Sequence, residues 1–194
     1  MKRTLFLPLT VLGLLCLPLL AAEVDPRILA VMRKEQSSAQ SFCFSFMHDA
    51  NSRGVKVAER CLSFSASRYF ANIGAAEADK DPNVTGDVVS RDHGEFCAAI
   101  GEFAMPGNWV KDDCQAWNRA RAELFALGAK EGTPTATLAA KIDRVANAHR
   151  RFCQSLVRAG YTGEPSVFGT RSSLCFSTAT NAKATDRAIF LGAF

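Results

Sequence analysis

The chain has 194 residues, 48% of them hydrophobic and 22% charged, with a formal net charge of +4. Acids and bases are interspersed with no long block of one sign, so there is no electrostatic footprint for nucleic acid or an acidic membrane face. The length allows one domain with a real core once any targeting segment is set aside.

Such a segment is expected at the start. Lys2 and Arg3 precede an apolar run from Leu5 to Leu20, broken by Pro8 and Pro18, and the small pair Ala21-Ala22 follows. That order reads as a cleaved secretory signal over residues 1–22, and the run is short for a membrane span. Removal leaves 172 residues, a charge near +2 and six of the seven cysteines. An even number of cysteines in an exported chain argues for disulfides and an oxidising compartment, periplasmic or extracellular.

The word Phe-Cys occurs three times, at Phe42-Cys43, Phe96-Cys97 and Phe152-Cys153, 54 and 56 positions apart. A further cysteine answers each one, at Cys61, Cys114 and Cys175, with 17, 16 and 21 residues between. Six cysteines allow 15 pairings. The spacing selects Cys43–Cys61, Cys97–Cys114 and Cys153–Cys175 within three units, about 25–80, 81–132 and 133–194, of one helical domain over 23–194.

Unit one opens at Asp25-Pro26, an N-cap followed by proline at the first helical position. Ile28, Leu29, Met32, Ala39, Phe42, Cys43, Phe46 and Met47 then recur at helical spacing. Asn51 to Gly54 reads as a turn, and a second helix from about Val55 places Ala58, Cys61, Leu62, Tyr69 and Ile73 inward. Unit two opens at Asp81-Pro82, with Val88 or Val89, His93, Phe96, Cys97, Ile100 and Phe103 as its stripe. After a turn at Met105 to Asn108, its return helix aligns Val110, Cys114, Trp117, Arg121, Leu124 and Leu127, and Gly128 and Gly132 close it.

Unit three opens at Thr133-Pro134, and Leu138, Ile142, Val145, His149, Phe152, Cys153 and Leu156 form its stripe. A longer loop through Gly160, Gly163, Pro165 and Gly169 accounts for the wider cysteine gap. Beyond Cys175 the chain turns polar at Ser177, Thr178, Thr180 and Asn181, a poor helix by propensity. The apolar end, Ile189, Phe190, Leu191 and Phe194, is expected to dock on the body. At 1.5 Å per residue each cysteine lies roughly 9–14 Å from its turn, so partners on antiparallel helices stand level. The expectation is an all-α tandem array of three disulfide-stapled αα-hairpins, about six helices.

Residues able to do chemistry are few. His93 and His149 each stand four before a cysteine, and zinc accepts both donors. An oxidising compartment takes the thiols as disulfides, so both histidines are read as packing residues, with no metal or cofactor expected. His48-Asp49 resembles the His-Asp pair of secreted phospholipases A2; the resemblance covers that dipeptide and an upstream cysteine, and no glycine-rich calcium loop precedes it. Glu95, Glu102, Asp112, Asp113 and Glu123 are the acids that would serve a hydrolase. Tyr69, Trp109 and Trp117 are aromatics suited to contact or to core. No phosphate loop, nucleophile elbow or CxxC motif is present.

The reading that follows is an exported, non-catalytic, protein-binding module, such as an inhibitor or immunity protein or an envelope adaptor. Its partner is another protein in the periplasm or extracellular space, with no nucleic acid and no stable membrane span after signal removal. The alternatives are a carrier of a small apolar ligand, held among the abundant Phe side chains, and a hydrolase using surface carboxylates or His48-Asp49.

Overall fold

A computed structural model describes residues 24–47, 49, 52–77, 82–104, 109–130, 132–162 and 169–194. The signal segment, His48 and Asp81 lie outside them. Among the described residues six helices follow one another: α1 Pro26–Phe44, α2 Ser52–Ala76, α3 Pro82–Phe103, α4 Trp109–Gly128, α5 Thr135–Arg158 and α6 Arg171–Leu191. None is long and apolar enough to cross a membrane.

The helix starts follow the local chemistry, with two corrections. Asp25 caps α1, its carboxylate accepting from the Arg27 amide at 2.8 Å, and Pro26 sits at the first helical position. Thr133 does not cap α5; its hydroxyl donates to the Leu127 and Lys130 carbonyls, both at 2.9 Å, and Pro134 takes the cap position. The turn expected through Gly54 is already helix, since α2 begins at Ser52. A Cβ on Gly54 would stand 2.5 Å from the Phe46 carbonyl oxygen, so the close return of the chain needs glycine there.

The polar stretch after Cys175 is helical despite its propensity. Thr170 caps α6 by accepting from the Ser173 amide at 3.2 Å, and Gly192 ends it in the left-handed region at φ 60°. Thr178 and Thr180 donate to Leu174 and Phe176 carbonyls one turn back, at 2.9 and 3.0 Å. Their hydroxyls are thereby satisfied inside the helix instead of competing with it. At the end of the chain Phe190 meets Phe125 edge-on at 5.5 Å, whereas Phe194 stays exposed with the Arg27 guanidinium 4.4 Å from its ring.

All three expected disulfides are present, with Cα separations of 5.3, 5.4 and 5.7 Å. Every half-cystine is buried. Bridges closing loops of this size stabilise by about 3 kcal/mol each in the chain-entropy model.

The hairpins do not form an open array. Each helix packs on its neighbours in the chain, and α6 returns to pack on α1, closing a six-helix ring. The ends of α1, α3 and α5 that lead into the hairpin turns lie at one end of the ring, where the Tyr161 hydroxyl donates to the Phe103 carbonyl at 3.2 Å. The first and last described residues, Val24 and Phe194, lie at the other.

Positions counted from the cysteines share levels inside the ring. One residue before the first cysteine of each pair stand Phe42, Phe96 and Phe152; Phe152 meets the other two edge-to-face at 6.5 and 5.9 Å. One turn nearer the hairpin end come Phe46, Ile100 and Leu156, all fully buried. One turn the other way stand Ala39, His93 and His149.

The inner faces agree with the sequence reading most fully on α5, where every expected stripe residue is buried. Met47 lies beyond the end of α1 and is 46% exposed, and on α1 Glu35 is buried in the stripe instead. On α3 it is Val89 that turns inward and Val88 outward. On α2 the buried face is rotated: Phe64, Ser65, Arg68 and Asn72 point inward while Leu62, Tyr69 and Ile73 sit half-buried.

Candidate functional site

Three levels of the ring interior depart from plain hydrophobic packing. At the hairpin end, four residues before the second cysteine of each pair, stand Val57, Val110 and Arg171. Arg171 is buried and ion-pairs with Asp49. Its guanidinium also donates to the Ser45 carbonyl at 2.9 Å and the Ser45 hydroxyl at 3.2 Å, and lies over Phe46 at 4.4 Å. Burial pulls its pKa down, and the Asp49 charge opposes that. The start of α6 is thus fastened to the segment that follows α1.

At the mid-level the histidines lie in a ring stack. Phe64 stacks on His93 at 4.0 Å, His93 meets Trp117 edge-on at 4.1 Å, and Trp117 stacks on His149 at 3.7 Å. Both histidines are buried, and desolvation holds their pKa values well below the ordinary range. The Arg121 and Arg68 charges push the same way. Neither His93 ring nitrogen has a hydrogen-bond partner, nor have His149 Nε2 and Trp117 Nε1. Each first cysteine follows its histidine by one helical turn, so the ring nitrogen and both sulfurs of its pair lie within 4.8 Å of one another.

The third level is ionic. Seven residues after the second cysteine stand Arg68, Arg121 and Ala182. Arg68 of α2 ion-pairs with Glu35 of α1, and reaches Asp186 of α6 at 3.5 Å. Asn72 Nδ2 donates to Glu35 at 3.4 Å. The side chains of all three charged residues are at most 5% exposed. Burial raises the Asp186 pKa to about 6 even though Arg68 and Arg121 pull it down. Arg121 is pushed down to about 9 by burial and by the like charge of Arg68, against the pull of Asp186 and Glu35. Its terminal nitrogens have no hydrogen-bond partner, and the guanidinium faces the rings of Phe125 at 4.9 Å and Phe64 at 5.8 Å. Two cations and two carboxylates make the group neutral when all are charged.

Four of the five acids that would serve a hydrolase are each engaged by a basic side chain. Glu102 pairs with Lys56 at 2.6 Å and Glu95 with Arg60 at 2.6 Å, across α2 and α3. Glu123 takes Lys141 at 2.8 Å and Arg144 at 2.9 Å, and Asp113 takes Arg158 at 3.6 Å, across α4 and α5. Hydrogen bonds from these lysines hold Glu102 and Glu123 below the usual carboxylate pKa, a state unsuited to proton donation at neutral pH. Asp49 of the His-Asp pair is engaged by Arg171.

Glu35, Arg68, Asp186 and Arg171 were not singled out by the sequence reading. A signal for one was available: Arg68 and Arg121 both stand seven residues, two turns, after a disulfide cysteine, and Arg121 was already read on an inner face. The cavities bordering this core are small. The one beside Ala39, lined by Glu35, Phe42, Phe64, Arg68 and Trp117, holds about 20 Å³, and the one beside Arg121 about 10 Å³. Such volumes suit about one water molecule. Compared with family models, curated proteins and solved structures, the chain matches none.

Proposed function

We propose that this chain is an exported, non-catalytic binding module that recognises another protein, in the manner of an inhibitor, immunity protein or envelope adaptor. One observation carries the reading. Phe44, Met47, Val55, Trp109 and Val157 are all large, apolar and 38–48% exposed. They stand at the end of α1, just beyond it, in the first turns of α2 and α4 and near the end of α5, which is the hairpin-turn end of the ring. Apolar and aromatic side chains gathered at one end of a rigid body are what a protein interface needs at its centre. Three internal bridges fasten the helices in pairs beneath that end, so little ordering entropy of those helices is lost on association.

A small-ligand carrier is favoured less, because pockets for such ligands run to roughly 300–1,000 Å³. The cavities bordering the core hold about 10–20 Å³.

The test is affinity capture from the native envelope, followed by titration with whatever single stoichiometric protein is recovered. Met47→Ser with Trp109→Ser should weaken that association by at least roughly 30-fold, the scale of an interface hot spot. Phe70→Ser, at a 66% exposed position far along α2 from the hairpin turns, should leave it unchanged. Equal losses in both variants, or no partner in repeated captures, would count against the reading.

A further inference from the structure

The geometry points to two latent metal sites, His93 with Cys97 and Cys114, and His149 with Cys153 and Cys175. Each takes one thiophilic divalent ion of the zinc class when its disulfide is reduced. In each set an imidazole nitrogen and two sulfurs lie within 4.8 Å of one another, and all six residues are buried. The donors are the soft and borderline ones that zinc prefers.

The imidazoles give the second, independent observation. Both His93 nitrogens and His149 Nε2 are buried without a hydrogen-bond partner, although a buried polar atom ordinarily has one. A packing role alone would be filled as well by phenylalanine. A nitrogen lone pair held beside two sulfurs is what a ligand set requires.

Little movement is needed. The Cα atoms of the two pairs are 5.4 and 5.7 Å apart. Two sulfurs each about 2.3 Å from a tetrahedral ion stand roughly 3.8 Å from each other, so rotation of the cysteine side chains suffices once the S–S bond is broken. A dithiol reductant supplies the two electrons and two protons that convert the disulfide to two thiols, and itself leaves as a disulfide. The thiols then release two protons as they bind the ion, giving a neutral site of two thiolates, one imidazole and Zn²⁺, with the fourth position left to a small ligand. The first pair differs: Ala39 stands where the others have histidine, so Cys43 and Cys61 offer two donors only.

The full chain, reduced anaerobically with a phosphine and freed of it, is titrated with Zn²⁺ against a chromophoric chelator while helicity is followed by circular dichroism. The reduced wild type should hold two equivalents and the oxidised chain none. His93→Ala and His149→Ala should each lose one, and the double variant both. Ala39→His, placed beside the small cavity bordering that residue, should raise the number to three. If reduction loosens the ring, zinc should restore helicity in the wild type and fail to do so in the double variant. A reduced wild type that takes up no zinc and regains no helix with it overturns the proposal. So does zinc uptake indifferent to both histidines.

Discussion

Arg68→Met should destabilise the protein by about 3–5 kcal/mol, the loss expected when one partner is removed from a buried ion pair. Methionine fills a similar volume, so the loss is not a cavity effect. It arises because the Glu35 and Asp186 carboxylates, both nearly inaccessible, lose the cation between them. Urea unfolding at neutral pH measures it. The companion variant Glu35→Leu/Arg68→Met removes the ion pair, leaves Asp186 to balance Arg121, and should recover most of the loss, since buried ion pairs replaced together by apolar residues are often neutral or better. A double variant as unstable as the single one would mean that Arg68 acts through packing.

Stability should also fall steeply as the medium is acidified below pH 6.5. His93 and His149 have folded pKa values well below the ordinary histidine value, because burial and the nearby arginines oppose a positive charge there. Their contribution is present above pH 6.5 and is lost as pH falls toward the folded values, because the unfolded chain takes up two protons that the folded chain refuses. The slope is about 1.4 kcal/mol per pH unit for each histidine. Asp186 works the other way: its pKa is raised to about 6, so its contribution is present in acid and is lost as pH rises through about 6. Between about 6 and 4 it returns about 1.4 kcal/mol per pH unit, leaving a net acid loss of the same size. Unfolding midpoints at pH 7.5, 6.5 and 5.5 test this. His93→Phe/His149→Phe should abolish the decline, and an unchanged slope in that variant would refute the assignment.

How far the sequence could be read depends on where each element finds its partners. Hairpins, disulfides and the stripe of α5 were legible because they are local: cysteines 17 to 22 positions apart meet on neighbouring helices, and one helical period places Leu138 through Leu156 on one face. The closure of the ring was not legible. It depends on α1 meeting α6 across most of the chain, and α6 carries no apolar stripe to announce it. Its inner face holds Thr178, Thr185 and Asp186, which by residue type read as solvated. Glu35 and Arg68 were hidden for the same reason, since a charge within an amphipathic helix is normally assigned to solvent. The apolar end was half visible. Residue type marks Trp109 as a possible contact, but helical spacing puts Met47 inward only if α1 runs past Phe44, where it ends.

Among the described residues no covalent bond crosses the seam between α1 and α6, and polar anchors gather there: Arg171 to Asp49 and Ser45 at one end, Arg68 between Glu35 and Asp186 nearer the other. With Arg27 resting on Phe194, the start of α1 and the last residue are neighbours. Joining them by a short linker and cutting instead between α4 and α5 would yield a circular permutant with the same helices in the same places. Which helix leads is then not fixed by the packing, because the ring itself has no first helix.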